Sequence, residues 1–214
     1  MTYKINKQAY EVFKSETSSL DSQGPVGISV SEAIKKFEVQ DFQIPHIISN
    51  FDPSYKFTRY EVEEIVRDET FSTFEVIFVI FAWGATNHWV GVTKSPKKIL
   101  SSLSKSLLNS LSKLRNSNID CAKSFDRFLG NGLNLKIKSL GPSYFTKLLF
   151  FFDVSNTCFI MDKYTKDSFY KLTGKKLKDT PEDYCIFNEF VSNIAKDLNI
   201  SCSNTEYRLF SWRD

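Results

Sequence analysis

One stretch of the chain combines a tight turn, basic side chains and the start of a helix. It reads Ile137-Lys138-Ser139-Leu140-Gly141-Pro142-Ser143-Tyr144-Phe145-Thr146-Lys147. Gly141 permits close approach to the backbone, and Pro142 is typical of the first residue of a helix. The first N–H groups of a helix have no partner inside the helix, so together with the helix dipole they bind phosphate. Because Lys136 and Lys138 add positive charge, we expect this turn to hold a phosphate group.

A lysine and an aspartate nearby are candidates for acid–base or nucleophilic chemistry. Lys147 lies beside Phe145 and Leu148, and partial burial there would lower the pKa of its amine. The alternative interpretation is that Lys147 contacts phosphate or lies on the surface. Asp162 ends the apolar run 158–161 and lies fifteen residues after Lys147. It is either the N-cap of the segment that follows or a functional carboxylate, and the sequence leaves both interpretations open.

The distribution of charge indicates a polyanionic partner. Residues 94–152 contain eleven basic and two acidic side chains, a net charge of +9, whereas the whole chain carries only +3. A basic block of this kind favours nucleic acid. A solvated helical face is the alternative.

Length and composition exclude several other classes of protein. The chain has 214 residues, of which 42% are hydrophobic and 25% charged, so it is not a disordered protein. The most apolar stretch, residues 74–83, contains Glu75 and is far shorter than the roughly 20 residues that span a bilayer. Lys4 and Lys7 are not followed by the apolar segment of a signal peptide. We therefore expect a cytoplasmic protein without membrane contact.

The cysteines and histidines do not predict a cofactor. Cys121, Cys158, Cys185 and Cys202 form no C-x-x-C pair, and there are only two histidines. A zinc ribbon, an iron–sulfur cluster or a histidine-rich metal site is therefore not expected. Buried free thiols are the simplest interpretation.

Cap residues and apolar periodicity predict a mostly helical chain. Ser29 or Ser31 would cap a helix over residues 32–39, Thr58 or Tyr60 would open the next, and Thr70 or Ser72 would open residues 74–83. Residues 74–83 fit a central helix or a buried strand, and their length favours the helix. The remaining predictions are helices over 8–14, 96–114, 143–152, 182–198 and 205–212, and a loop over 44–53.

The turn and the following aspartate resemble the helix–hairpin–helix and catalytic segment of base-excision DNA glycosylases, most of all bacterial proteins similar to 8-oxoguanine DNA glycosylase. The family hairpin reads Leu-Pro-Gly-Val-Gly, and residues 137–141 occupy the same register. Two residues further on, the family has its nucleophile position, which is Ser143 here. The family's catalytic aspartate follows after about 18–19 residues, where this chain has Asp162. The resemblance covers about residues 130–170, and residues 81–84 and the C-terminal helix show weaker similarity to the family.

The chain departs from the family pattern at several positions. Ser139 replaces the first hairpin glycine, and Ser143 stands where bifunctional members have lysine. A lysine, Lys147, occurs one helical turn later on the same face. The iron–sulfur ligands of related branches are absent, and the family's histidine after the aspartate is replaced by a segment that begins with Lys163.

The resemblance implies a single all-α domain over residues 1–214, built of two helical lobes with the active site in the cleft between them. It implies a monomer that binds double-stranded DNA, flips out a damaged or modified base and cleaves its N-glycosidic bond. No cofactor is implied. The site residues would be Asp162 and Lys147 in catalysis, Lys136, Lys138, Leu140, Gly141 and Ser143 in DNA binding, and Trp83, Gly84, Tyr207 and Phe210 around the base.

Several questions stay open at this stage. The target is either an 8-oxoguanine-like lesion, as in DNA repair, or a hypermodified base of invading phage DNA. The nucleophile is either Lys147, with strand cleavage through a Schiff base, or water. Two other functions also fit: a non-catalytic DNA-binding module that uses only the hairpin, and a small protein whose basic helix binds an acidic partner.

Overall fold

The computed structural model describes residues 3–19, 23–85, 99–131, 135–137 and 140–212. Within these ranges the chain forms α-helices and no β-strand, so the all-α prediction is confirmed. The helices are α1 Lys7–Lys14, α2 Val30–Phe37, α3 Pro45–Asn50, α4 Arg59–Arg67, α5 Thr73–Gly84, α6 Lys105–Ser112, α7 Cys121–Leu129, α8 Pro142–Phe152, α9 Lys163–Thr173, α10 Pro181–Leu198 and α11 Cys202–Ser211. None of these helices has the length and apolar character needed to cross a membrane.

Local capping signals set where several helices begin. Ser29, Thr58 and Ser72 each accept a hydrogen bond from the third residue of the helix that follows, and a glutamate there returns one to the cap backbone. Proline opens α8 and α10 at Pro142 and Pro181. Each of these starts lies at or within two residues of its predicted position.

Helices α5 and α8 form the centre of the core, as predicted. Every side chain of α5 from Glu75 to Trp83 is buried, and so is every side chain of α8 from Phe145 to Phe152. Where the two helices pack, the ring of Trp83 in α5 meets the ring of Phe151 in α8 edge to face, with the ring centres 5.1 Å apart. The ring of Phe81 lies 6.2 Å from that of Tyr144, so the C-terminal end of α5 also contacts the first turn of α8.

The one charged residue inside α5 has a structural explanation. The Glu75 carboxylate accepts hydrogen bonds from the backbone N–H of Ser72 at 2.8 Å and of His46 at 2.9 Å. It therefore caps its own helix and also α3. The predicted loop over residues 44–53 is wrong because α3 occupies 45–50. Its cap comes from a residue 29 positions away, which local sequence does not reveal.

The prediction of one long helix over residues 96–114 is also wrong for the described residues 99–114. Residues 96–98 lie outside the described ranges, and the chain turns at 101–104 before α6 begins. Ser102 Oγ donates to the carbonyl of Ile99 at 2.7 Å, and Ser104 caps α6 by accepting from Leu107 N–H at 3.2 Å. Serine hydroxyls compete with helical hydrogen bonds in this way, so the apolar periodicity alone was misleading.

Two of the cysteines are not free thiols, which corrects the sequence-based expectation. Cys121 at the start of α7 and Cys158 in the segment before Asp162 form a disulfide, while Cys185 and Cys202 are free. The two bonded cysteines are 37 positions apart. They meet only because α7 packs against this part of the core, and their spacing in the sequence gives no sign of it.

Arg115, a member of the basic block, has an internal function. Its guanidinium donates to the carbonyls of Val66 and Phe71 at 2.6 Å, and to those of Ile65 and Asp68. These are the last carbonyls of α4 and those of the loop that follows. A cation here also interacts favourably with the helix dipole. Arg115 therefore holds α4 to the start of α5 rather than facing a polyanion.

We expect Arg115→Ala to lower the free energy of unfolding by about 2–3 kcal/mol, because several partly buried carbonyls lose their donor. Chemical denaturation followed by circular dichroism would measure it. Lys113→Ala removes an exposed positive charge two residues away and should change stability by no more than about 0.5 kcal/mol. Equal stability of the two variants would contradict this function for Arg115.

Candidate active site

Lys147 is held in place by the first turns of α8. Its ammonium group donates to the carbonyl of Ser143 at 2.9 Å and lies 5.4 Å from the ring centre of Tyr144. The nearest carboxylate oxygen, Oδ2 of Asp162, is 3.9 Å away. Both residues are 8% exposed, so a lysine and an aspartate face each other in a nearly buried setting.

Asp162 uses its two carboxylate oxygens differently. Oδ1 accepts hydrogen bonds from the backbone N–H groups of Tyr164 at 2.9 Å and Thr165 at 3.1 Å, which makes Asp162 the N-cap of α9. Oδ2 is the oxygen nearest Lys147. The cap therefore fixes the carboxylate, and the second oxygen remains available to the lysine and to a bound molecule.

Burial changes the charge state that is favoured at Lys147. Loss of water around the amine lowers the pKa of Lys147, and the nearby guanidinium of Arg59 lowers it further. Asp162 and Glu206 act in the opposite direction without cancelling the effect of burial. At a given pH a larger fraction of the amine is therefore neutral, as nucleophilic attack requires.

The pair lies in the wall of a pocket of about 130 Å³. This is well below the roughly 300–1,000 Å³ typical of pockets for drug-sized ligands, so it suits a small group of about the size of a base. All four residues predicted to surround a base are in its wall: Trp83, Gly84, Tyr207 and Phe210. The rings of Tyr207 and Phe210 stack at 6.4 Å, and Tyr164 meets Phe210 edge-on at 5.4 Å.

Trp212, which follows the last residue of α11, is not in the pocket wall. Its ring packs edge-on against Phe13 of α1 at 5.3 Å, and the ammonium group of Lys171 lies 5.2 Å from its ring centre. The C-terminal aromatic residues are thus divided, with Tyr207 and Phe210 in the pocket wall and Trp212 packed against α1.

The N-terminal segment closes one side of the pocket. Gln23, Val26 and Gly27 line it, and Ile28 N–H donates to the carbonyl of Ala82 at 3.0 Å. Gly27 has a φ of +79°, and a Cβ there would lie 2.1 Å from the Ala82 carbonyl oxygen. Only glycine fits this position, so the segment is fixed against the end of α5.

The predicted phosphate-binding turn is described only in part. Lys138 and Ser139 lie outside the described residues. Leu140 N–H donates to the carbonyl of Ile137 at 3.1 Å, Gly141 is the exposed N-cap of α8, and Ser143 is half-buried. Lys136 is exposed, and its side chain lies against Gly130, where a Cβ would be 2.9 Å from Lys136 Cδ. Helices α7 and α8 flank the turn.

Comparison with known proteins identifies the family. Residues 37–210 match the family model described as "Putative 8-oxoguanine DNA glycosylase OGG-like protein". The chain belongs to this family. The matched region contains α8, Lys147 and Asp162, and it indicates a DNA glycosylase that binds DNA. No curated protein and no solved structure matches the chain.

Sequence analysis missed two charged residues of the pocket wall. Arg59 and Glu206 form a buried ion pair, with Arg59 Nη1 donating to Glu206 Oε2 at 2.7 Å. The Arg59 guanidinium also lies 4.1 Å from the ring centre of Phe150. Arg59 is the first residue of α4, where the helix dipole disfavours a positive charge. This unfavourable position is the local feature of the sequence that points to a distant acidic partner.

Gly84 provides the space for Lys147 in the pocket wall. A Cβ at Gly84 would lie 2.8 Å from Cδ and 3.0 Å from Cε of Lys147. Its φ is not in the left-handed region, so alanine fits the backbone but displaces the lysine stem. Gly84 is therefore required for the position of Lys147.

We expect Gly84→Ala to fold normally and to slow base release by about 10- to 100-fold, because a displacement of about 1 Å at a reacting group costs that much. Base release and thermal unfolding measured on the same sample would test this. Gly24→Ala, where a Cβ meets nothing within 4 Å, is the control and should keep the wild-type rate. An unaltered rate in Gly84→Ala would show that the lysine position does not limit the reaction.

One group of possible metal ligands is found among the described residues. Cys121, Asp153 and Cys158 place their ligand atoms within 4.8 Å of one another. The two sulfurs are bonded to each other, however, and the Asp153 carboxylate accepts backbone N–H groups of Ile119, Thr157 and Cys158. Thiolate ligands are not available in this state.

Proposed function

We propose that the protein is a DNA glycosylase that flips a damaged or modified base out of double-stranded DNA and hydrolyses its N-glycosidic bond. The observation that carries this proposal is the pairing of Lys147 with Asp162 at 3.9 Å in the wall of an aromatic pocket suited to one base. The chain acts as a monomer in the cytoplasm. Its target is an 8-oxoguanine-like lesion or a hypermodified phage base.

The chemistry follows from the two charged groups. Cleavage of the bond between C1′ and the base leaves the bonding electrons on the base and builds positive charge on the sugar. The Asp162 carboxylate stabilises that charge. In one route Asp162 orients a water molecule and accepts its proton as the oxygen bonds to C1′; the departing base takes up a proton, and the product is an abasic site. In the other route the neutral Lys147 amine bonds to C1′ and gives up a proton to the departing base. The C1′–O4′ bond then breaks, with its electrons going to O4′, and the resulting Schiff base allows strand cleavage.

DNA binding uses the turn before α8. The residues that contact the phosphates beside the target nucleotide are Lys136, Lys138, Leu140, Gly141 and Ser143, and the dipole of α8 adds to the attraction. In this arrangement the pocket lies at the bottom of a cleft between two helical lobes. Residues 23–27 with α4 and α5 form one side of the pocket, and α8, α9 and α11 form the other.

A panel of duplexes tests the proposal directly. Each duplex carries one candidate base, including 8-oxoguanine and bulky phage-type bases, and the assay measures free base and abasic sites. We expect release of one class of base and little release of the four normal bases. If no base is released from any duplex while DNA is still bound, the protein is the alternative, a non-catalytic binding module. The capping bonds of Asp162 are the observation that favours this alternative.

Lys147→Gln separates the two routes. If the amine is the nucleophile, borohydride traps wild-type protein on the lesion duplex as a covalent adduct, and the variant gives none. Because burial lowers the pKa of Lys147, adduct formation should rise with pH and level off below pH 10.5, the ordinary value for lysine.

The control for this experiment is Lys113→Gln, which changes an exposed lysine of the basic block and should trap like wild type. Base release without any adduct in the wild type indicates the water route. If Lys147→Gln keeps both the wild-type rate and affinity, Lys147 is not part of the active site.

A further inference from the structure

A second basic segment follows the active-site aspartate. Residues 163–178 contain six lysines and a single acidic residue, Asp167, a net charge of +5. This segment comprises α9 and the loop after it, and it lies outside the basic block of residues 94–152. It is hidden in the overall charge because the rest of the chain is acidic.

Three of these lysines converge on one pocket. Its volume is about 290 Å³, and it is lined by Ser143, Lys163, Lys166, Asp167, Tyr170 and Lys176. Lys166 also pairs with Asp179 at 2.8 Å, whereas Lys163 and Lys176 have no carboxylate within 4 Å among the described residues. We refer to this pocket as the lysine pocket.

The charges around the lysine pocket are positive on balance. Its three lysines repel one another, and Asp167 together with Asp179, the partner of Lys166, compensates two of the three charges. The Lys176 ammonium group also lies 5.6 Å from the ring centre of Tyr170. Lys163 is in addition the first residue of α9, where the helix dipole disfavours a cation. An anion between the lysines removes both costs. Ammonium groups on flexible stems are common phosphate ligands.

The lysine pocket lies next to the proposed active site along the chain. Asp162 lines the base pocket, and the next residue, Lys163, lines the lysine pocket. Ser143 lines the lysine pocket too, while its carbonyl accepts the hydrogen bond from Lys147. A nucleotide with its base in the first pocket has its sugar beside Lys147 and Asp162. Its phosphate is attached to that sugar and is therefore close to the lysine pocket.

We propose that the lysine pocket binds a backbone phosphate of the flipped nucleotide or of its immediate neighbour. The pocket shares Ser143 with the turn before α8 and adds a second phosphate site next to it. This inference rests on the proposed function, because only a nucleotide bound in the base pocket brings its phosphate here. It makes α9 part of the DNA-binding surface.

The first test is the salt dependence of DNA binding by Lys163→Glu/Lys176→Glu. Both side chains are exposed, and glutamate at the start of α9 suits the helix dipole, so the variant should fold like wild type, as thermal unfolding would verify. We expect its affinity for duplex DNA to fall about tenfold or more and the slope of log affinity against log salt to become shallower by about two.

The matched control is Lys178→Glu, which reverses an exposed charge of the same segment outside the lysine pocket. Its salt slope should be that of wild type. Equal slopes and equal affinities for the double variant and this control would overturn the proposal. Affinity must also fall equally for duplexes with and without a 5′-terminal phosphate; a loss confined to 5′-phosphorylated duplexes would assign the site to terminal phosphates instead.

The second test locates the phosphate. Single neutral methylphosphonates replace, one at a time, the phosphates at the 8-oxoguanine nucleotide and its neighbours. At one of these positions the replacement should weaken wild-type binding and have no further effect on the double variant, since the two changes remove the same contact. Additive effects at every position would overturn the inference.

The two tests also separate this inference from the proposed function. They measure binding, whereas the proposed function depends on base release. Absence of base release together with a changed salt slope rejects the glycosylase and keeps the phosphate site. Base release together with unchanged binding by the double variant rejects the phosphate site alone.

Discussion

Asp162→Asn should reduce base release by about 10²-fold or more while DNA binding is retained. The carboxylate charge that stabilises the developing cation is lost, which corresponds to ~3 kcal/mol of transition-state stabilisation. Asparagine keeps the shape of the side chain and an oxygen that can accept from Tyr164 and Thr165 N–H. The cap of α9 therefore survives, and the variant isolates the charge.

Single-turnover base release and equilibrium binding on the same duplex measure the two effects. Asp120→Asn is the matched control, because Asp120 is also an N-cap, accepting from Lys123 N–H at 3.0 Å at the start of α7, but lies outside the pocket wall. Its rate should equal that of wild type. Full activity of Asp162→Asn would mean that Asp162 serves only as a helix cap, and it would favour the alternative of a non-catalytic DNA-binding module.

Arg59→Met should lower the free energy of unfolding by about 3–5 kcal/mol, since it leaves Glu206 buried without its partner. Burial raises the pKa of Glu206, and the Arg59 charge opposes that effect. Without Arg59 the pKa rises further, so the native state binds a proton that the unfolded state releases. The loss of stability should therefore be smaller at pH 5 than at pH 8.

Denaturant unfolding of Arg59→Met at both pH values would measure this loss. Arg67→Met changes an exposed arginine of the same helix and should cost no more than about 0.5 kcal/mol. The double variant Arg59→Met/Glu206→Met removes both charges and should recover most of the stability. A loss in Arg59→Met no greater than in Arg67→Met would mean that the pair does not stabilise the fold.

The parts of the fold that the sequence predicts are those determined by neighbouring residues. Ser29, Thr58 and Ser72 begin their helices through side-chain contacts within three positions, and Pro142 acts in the same local way. Helix α3 and the Cys121–Cys158 bond depend on partners 29 and 37 positions away. No local pattern records such a contact, which is why the loop over 44–53 and the free thiols were wrong.

The same distinction applies to the candidate site. Lys147 and Asp162 are fifteen positions apart, and the family resemblance assigned both to one active site. The structure brings them within 3.9 Å of each other. Arg59 and Glu206 are 147 positions apart, and only folding brings them into the same pocket. The lysine pocket was missed because net charge was summed over residues 94–152, whereas all three of its lysines lie beyond that block.

The fit of Gly27 against the end of α5 affects how pocket selectivity could diverge within the family. The region that the family model matches begins at residue 37, yet Gln23, Val26 and Gly27 form one side of the pocket. Part of the pocket wall is therefore encoded outside the matched region, which contains Lys147 and Asp162. Exchanging a short N-terminal segment while retaining the glycine that docks on Ala82 would reshape the pocket without altering Lys147 or Asp162.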